Sequence, residues 1–568
     1  MTYFSIDAVK QNTYDAIVIG SGISGGWAAK ELTEKSLKTL VLERGRDVQH
    51  IKDYPTANKH PWEFAYRGRV PLEVKKQFTS RRGRVDESTV HFYVNDHEHP
   101  YIQEKPFNWT RGYQVGGKSL LWARQTQRWS DFDFEGPARD GYAVDWPIRY
   151  ADLAPWYSYV EKFAGISGNK DGLPELPDGE FLPSTELSCV DAHFQKQIAR
   201  HFKDRKLIQG RCAHITQPQQ IHIDQGRSKC LHRTLCSRGC PLGGYFSSNA
   251  STIPWAANTG NMTLRPHSVV HSIIFDKDKN KATGVRIIDG LTKDMEEFYA
   301  NIIFVNASAL NSNLILLNST SDRFPEGLGN DNGLLGKFIA WHNYRGRISA
   351  SYEGLQDVST DGRTPNHSYI PRFRNLYKQE TDFLRGYAAG FGGGRGTLKS
   401  QEGIGETLKE NLFNNSPGNW HVSAWMMGEV IPREFNTVSL DADAKDPYGI
   451  PQLKISAEWT DNDNKMVEDY KEQFTEMFTK AGFININAVD SGAPPGSDIH
   501  EMGGVRMGKD PKTSLLNKWN QLHACKNVFV TDGACMTSTA TQNPSLTYMA
   551  LTARAADHAV SELKKRNL

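Results

Sequence analysis

Four groups of residues in this chain could do chemistry. Gly20-Ser21-Gly22-Ile23-Ser24-Gly25 is a G-x-G-x-x-G turn of the kind that brings a phosphate onto backbone N–H groups. Cys230, Cys236 and Cys240, followed by Pro241, put three of the seven cysteines into eleven residues. His500 opens the glycine-rich stretch His500–Gly508, and none of the other 17 of the 18 histidines is so placed. Asn543, a side-chain amide, stands directly before Pro544. A histidine, with its ordinary pKa of about 6.5, suits proton transfer near neutral pH.

Each group has a second reading. The glycines could make a turn without a ligand, His500 could be a hydrogen-bonded loop residue, and Asn543 could simply cap a helix. An odd, clustered set of cysteines is a poor disulfide framework for a chain of this length. The Cys-x3-Cys-Pro ending is like iron–sulfur binding runs. The interleaved Lys229, Arg233 and Arg238 would offset the charge of a thiolate-bound cluster. Zinc is an alternative, although no fourth ligand lies at a usual spacing, and so are plain buried thiols.

The elements that must position these groups read as follows. Asp15–Gly20 is a short buried strand, the glycine turn opens a helix, and Thr39–Leu42 is a second strand ending in Glu43. That is one βαβ unit with an acidic residue 23 positions after its first glycine, the context a dinucleotide fingerprint needs. In it Gly20 permits the tight turn, Gly22 admits a pyrophosphate, Gly25 lets helix and strand pack, and Glu43 accepts from the adenosine ribose. Trp146–Gly168 predicts a turn, a helix and a glycine exit. Met262–Asp289 predicts a hairpin, and Ile302–Val305 a buried strand. From about Gly336 to Asn487 the texture changes to polar loops such as Gly390–Gly396 and alternating segments such as Thr437–Leu440 and Gln452–Ile455. Asn527–Thr531, Asp532-Gly533 and a long helix from Pro544 close the chain.

The fold class expected is α/β plus α+β: a Rossmann-like dinucleotide-binding domain with a substrate domain on a mostly antiparallel sheet. The first domain takes residues 1–155, 205–335 and 500–568, with the cysteine loop 229–241 inserted; the second takes 156–204 and 336–499. Net charge is +2, so there is no footprint for nucleic acid. The mean hydropathy of −0.56 and the lack of a long apolar run exclude a spanning segment. The first residues, Met1–Asp15, show no signal-peptide pattern, which by itself predicts a cytoplasmic protein.

Several segments resemble the glucose-methanol-choline (GMC) flavoenzymes. They are the fingerprint through Leu42-Glu43-Arg44-Gly45, the loop Tyr113–Trp122, Asn306–Ser308, His500–Gly508 and Val528–Leu546. Together they span the chain except its middle. The resemblance implies FAD, with Gly116, Gly117 and Ser119 along the flavin ring, Val270 near the adenine, and Asp532 and Gly533 at the ribityl-pyrophosphate. It implies His500 as the catalytic base and Asn543 as its partner. Some members attach FAD through a histidine in the Gly-Gly loop; here that loop has none, so non-covalent FAD is expected.

Within the family the chain is most similar to the sugar-dehydrogenase branch, including glucoside 3-dehydrogenases and gluconate 2-dehydrogenase, and more distantly to pyranose oxidase. Large subunits of that branch carry a similar triple cysteine holding a [3Fe-4S] cluster. This chain has one residue more in the first interval, which leaves the ligand set open and Cys212 in reserve. The expectation is oxidation of a sugar hydroxyl, C3 of a glucosyl unit first, with electrons relayed from FAD through the cluster. A sugar oxidase returning electrons to oxygen, gluconate 2-dehydrogenase, and a non-catalytic flavin electron-transfer subunit are the alternatives. Expected partners are a small subunit and a haem or other acceptor. A small subunit bearing an export signal would carry the chain to the periplasm.

Overall fold

Thr13–Ile19 is buried along its apolar half, as a strand covered on both faces must be. In the computed structural model, which describes residues 12–81, 85–142, 144–358, 366–395, 403–413 and 418–568, this strand lies inside a seven-stranded sheet. It pairs in parallel with Thr39–Leu42 on one side and Met295–Val305 on the other. Thr39–Leu42 takes Met262–Arg265 as its outer neighbour, again in parallel. The strand Met295–Val305 is long enough, at 11 residues, for two partners on one edge. Lys281–Asp289 runs antiparallel to its first part and Val528–Val530 parallel to its last.

The predicted hairpin over Met262–Asp289 is therefore shorter. Ser268–Asp276 and Lys281–Asp289 form it, whereas Met262–Arg265 is a separate strand across the sheet. Pro266 and His267, the latter at φ 54°, turn the chain between them. Helix Ile23–Glu34 and the last helix, Ser545–Lys564, pack side by side through Ala28, Ala29, Ala555 and Ala556, all fully buried. Such small side chains let two helices approach closely while their larger residues fill the core.

The second sheet is antiparallel throughout, in the order Ser368–Ile370, Tyr387–Arg395, Trp420–Glu429, Gly346–Tyr352, Ile484–Asp490. The two-residue strand His342–Asn343 also pairs with Trp420–Glu429. Helix Asp461–Lys480 places Met466, Tyr470, Phe474 and Phe478 on one face, four residues apart, and these pack against Phe391, Trp420 and Tyr387. The expected Gly390–Gly396 loop is instead part of a strand as far as Arg395; Gly396 lies outside the described residues. Two of its glycines are packing sites: a Cβ on Gly390 would strike the Trp425 ring, and one on Gly393 would strike Val190.

Thr437–Lys445 and Pro451–Ser456 pair with each other as expected of alternating segments, but not within this sheet. They form a three-stranded ribbon with Ile102–Gln103, and Val438, Leu453 and Ile455 join the core under the parallel sheet. Helix Tyr150–Ala164 ends at the left-handed Gly165 and crosses the boundary expected at residue 155. Its Tyr157, Val160 and Phe163 belong to that same core. The architecture is the expected one: a Rossmann-like sheet domain joined to a domain on an antiparallel sheet.

Candidate active site

The glycine turn is dictated by contact. Gly20 has φ +94° and a Cβ there would run into the backbone of Asn306; a Cβ on Gly25 would run into the Gly20 carbonyl. Gly22 has open space instead, and it faces a cavity of about 540 Å³. It is also the N-cap position of helix Ile23–Glu34, with no side-chain cap, which leaves the first N–H groups to a ligand phosphate.

The cavity wall takes in Gly20, Glu43, Gly117, Ser119, Val270, Asp532, Gly533, His500 and Asn543. Gly25 and Gly116 stand behind it. Gly116 donates its N–H to Ser21 Oγ at 3.0 Å, which docks the Gly-Gly loop on the fingerprint turn. Glu43 accepts from Ser21 N–H at 3.1 Å, Ser21 Oγ–H at 2.5 Å and Gly45 N–H at 3.0 Å; burial nevertheless raises its pKa. Asp532 accepts from Ser312 Oγ–H at 2.5 Å and the Ala534 N–H at 2.9 Å, and burial pushes it up to about 6.

The fit of this wall to a dinucleotide can be judged from its loose ends. Arg44 Nε, Asn306 Oδ1, Glu501 Oε1, Asn543 Oδ1 and Tyr548 Oη are buried without a hydrogen-bond partner among the described residues, and all five residues line the cavity. Buried polar atoms are costly when unpaired. A ligand carrying phosphates, hydroxyls and a polar ring would satisfy them.

His500 and Asn543 meet here although 43 residues apart: Asn543 Nδ2 lies 3.4 Å from His500 Nε2. Asn543 does not cap the last helix. The cap position is Pro544 and no side-chain cap bond is made, so the amide is free to turn toward the histidine. His500 Nδ1 lies 2.9 Å from His342 Nδ1. Burial, helped by His342 and Lys118, holds His500 well below the ordinary histidine range, so its ring is neutral at neutral pH and able to accept a proton.

Sequence reasoning missed four neighbours. Asp498 lies 3.7 Å from Nδ1 of both histidines; Lys118 pairs with Glu501 at 2.9 Å across the cavity wall; and His342 is wholly buried. The available signal for His342 was a polar pair, His342-Asn343, closing an apolar run.

The cysteines are free thiols, all three half-buried. Cys236 and Cys240 are close enough for their charge to be felt at Cys230, and Cys230 is felt at the buried Cys212. They do not gather around a single ion. Among the described residues, the one group of His, Cys, Asp or Glu ligand atoms within 4.8 Å of each other is His342, Asp498 and His500. That geometry does not support zinc on the cysteines, whose sulfurs would sit about 2.3 Å from one ion. Arg233 donates to Ala57 O at 2.7 Å and Arg238 to Lys59 O at 3.1 Å, tying the loop to its neighbour. Two further cations reach the thiols: Arg124, at Cys212 and Cys230, and the buried Arg227, which senses Cys240. Between Cys236 and Arg238, Ser237 reaches the wall of the main cavity.

A fingerprint turn and a dinucleotide-sized cavity, with a histidine and an amide meeting on its wall, fit an oxidoreductase that binds a dinucleotide cofactor. The chain belongs to the GMC oxidoreductases: the N-terminal family model matches residues 14–338 and the C-terminal one 432–552. It is thus an FAD-dependent enzyme acting on CH–OH groups. It is 29% identical to 2-methyl-1,2-propanediol dehydrogenase of Mycolicibacterium austroafricanum, over 96% of this chain and 94% of the relative. It is 25% identical to the fructose dehydrogenase large subunit of Gluconobacter japonicus, over 97% and 98%. A solved formate oxidase from Aspergillus oryzae shares the fold, with TM-score 0.62 at 13% identity over 98% of this chain and 99% of that one. No helix among the described residues is long and apolar enough to cross a membrane.

Proposed function

We propose that the enzyme is a dehydrogenase oxidising a secondary hydroxyl of a sugar or glycoside, C3 of a glucosyl unit first, with electrons leaving through an iron–sulfur cluster. The observation that carries this reading is the meeting of His500 Nε2 and the Asn543 amide on the cavity wall that also holds Gly117–Ser119 and Ser237. FAD, held non-covalently along Gly20, Gly22, Glu43, Val270, Asp532 and Gly533, supplies the hydride acceptor. His500 Nε2 takes the hydroxyl proton as the carbonyl forms. Asn543 holds the same oxygen, donating through Nδ2 or accepting at its unpartnered Oδ1. Lys118 and Glu501, paired beside them, set the polarity of the wall.

Cys230, Cys236 and Cys240 are the residues that would hold the cluster, which would supply one-electron transfer. Their donor set suits a group bound through separated thiolates rather than one ion. The buried His214 next to Ile215, whose carbonyl accepts from Cys230 N–H at 2.7 Å, has no partner for either ring nitrogen among the described residues. A small subunit and a haem protein are the acceptor side of this proposal, and the substrate side rests partly on the fructose-oxidising relative.

The test combines anaerobic bleaching of the purified protein by a panel of sugars, glycosides and 2-methyl-1,2-propanediol with metal analysis and product regiochemistry. Bleaching by a glucoside with a 3-keto product, several irons per chain and flavin released on denaturation are expected. Bleaching by the diol alone would overturn the sugar assignment. Zinc, or no metal after anaerobic purification, would overturn the relay and leave an oxidase. Flavin retained in the precipitate would overturn non-covalent binding.

A further inference from the structure

The geometry points to His342 as the positioning residue that fixes the tautomer of His500, so that the lone pair of the base stands on Nε2, toward Asn543 and the cavity. This deepens the reading of His500 as the base and rests on it. The constraint begins at the far side of the His342 ring. Its Nε2 lies 3.1 Å from two carbonyl oxygens, those of Thr539 and Ala540. Carbonyl oxygens only accept, so Nε2 must carry the hydrogen. The neutral ring then has its lone pair on Nδ1, and His500 Nδ1, 2.9 Å away, must donate its own hydrogen into it. A neutral His500 protonated at Nδ1 is left with an unprotonated Nε2. The one remaining ring position is the one that faces the Asn543 amide at 3.4 Å.

The scaffold around His342 leaves it little freedom. Its backbone N–H donates to Asp498 Oδ2 at 2.8 Å, its side chain is fully buried, and the two rings meet edge to face at 86°. His342 comes from the short strand beside Trp420–Glu429, and Thr539 and Ala540 from the loop before the last helix. The contact therefore locks the antiparallel-sheet domain against the dinucleotide domain at the base. When Nε2 accepts the substrate proton, the new imidazolium keeps its Nδ1–H bond to His342 and has the Asp498 carboxyl 3.7 Å from that nitrogen. The other charges near the ring are Lys118 and its partner Glu501.

The trio of His342, Asp498 and His500 could instead be a metal site, and a metal on both Nδ1 atoms would put hydrogen on His500 Nε2. One measurement separates the two: ¹⁵N NMR of the histidine rings in the resting, FAD-loaded wild type, with His500 assigned by difference against His500→Gln. An unprotonated Nε2 and protonated Nδ1 on His500 are expected; the reverse pattern overturns the proposal. No substrate is involved, so an error about the substrate or about His500 as base leaves this outcome readable. The kinetic arm uses His342→Leu and His342→Gln. Losing the acceptor should slow flavin reduction at least about 10-fold, toward the 10⁴ that a wrong tautomer costs in a Ser-His-Asp triad. It should also change the pH profile of the rate while FAD remains bound. The Gln variant, whose side-chain oxygen can accept from His500 Nδ1–H, should recover much of the rate. Equal rates and pH profiles in the Leu variant and wild type, or no difference between Leu and Gln, would overturn the proposal.

Discussion

His500 and the cysteine loop both border the cavity, yet they are held by different means. Around His500, groups from two distant stretches of chain, His342 and Asn543, join Asp498 from two residues away on one ring, with Thr539 and Ala540 behind His342. All of these are buried. Around the cysteines fixed bonds lie at the rim, such as Cys230 N–H to Ile215 O at 2.7 Å, Gly243 N–H to Cys240 O at 3.0 Å, and the Arg233 and Arg238 side chains to Ala57 O and Lys59 O. The thiols themselves stay half-exposed and unpaired as disulfides. A base must present one lone pair at one angle, and buried partners enforce that. Ligands for a group bound after folding need only a loop that brings them near one another.

The difference is tested most sharply at the base. Replacing His500 with Ala should lower the rate of flavin reduction by about 10²–10⁴-fold, the span of general-base catalysis, with the flavin spectrum retained. Stopped-flow bleaching measures it, and turnover near wild type would remove His500 from the mechanism. Asn543→Ala comes next. A hydrogen bond to a group developing charge contributes about 1.5–3 kcal/mol, or roughly 10–100-fold in rate. Because Asn543 does not cap the last helix, the thermal midpoint should barely move; a large fall in stability with normal kinetics would return it to a structural role.

The same contrast governs what could be read from the chain beforehand. The fingerprint turn and the cysteine run are local: each is a spacing over a few residues, and Gly20 and Gly25 have a steric reason that spacing alone signals. The βαβ start and the two-domain class follow from them and from the periodicity of the strands. His342 was visible only as a polar pair after an apolar run, because its meaning depends on Thr539 and Ala540 nearly 200 positions away. Gly390–Arg395 misled for a related reason. Glycines in a row suggest a loop, but here Gly390 and Gly393 make room for Trp425 and Val190, neighbours that strand pairing and helix packing supply. At the cysteine loop, Arg233 and Arg238 are legible because they are close in sequence, whereas Arg124, whose charge reaches Cys212 and Cys230, is brought in only by the fold.

At the loop, Cys236→Ser should leave bleaching by the substrate in place while abolishing most of the iron and slowing reduction of a one-electron protein acceptor. Iron analysis beside the two half-reactions decides it. A full iron complement in this variant would place the cluster ligands elsewhere. If iron is lost and sugar-driven bleaching is lost with it, the two regions are not the separable units the contrast implies.

The smallest effect expected concerns Asp498, the buried carboxyl behind the base. Burial pushes its pKa up to about 7, and the nearby Glu501 adds to the shift; in the unfolded chain an aspartate titrates near 3.9. Between those values the folded protein holds the proton and the unfolded chain does not. This group's contribution to stability is therefore complete below about pH 4 and is lost as pH rises through about 7, with a limiting slope near 1.4 kcal/mol per pH unit. Asp498→Asn has no proton to lose, and its amide oxygen can still accept from the His342 N–H. Thermal midpoints of FAD-loaded wild type and variant, measured from pH 5 to 8, should show the variant gaining on wild type as pH rises. Asp133, at about 7, and Asp532, at about 6, give slopes of the same sign, but they are present in both proteins and cancel in the difference. Parallel curves, or wild type gaining as pH rises, would mean that Asp498 carries its charge in the fold. The site would then hold a permanent anion facing both His342 and His500, and the neutral base would owe its state to the His342 contact against that charge rather than to burial alone.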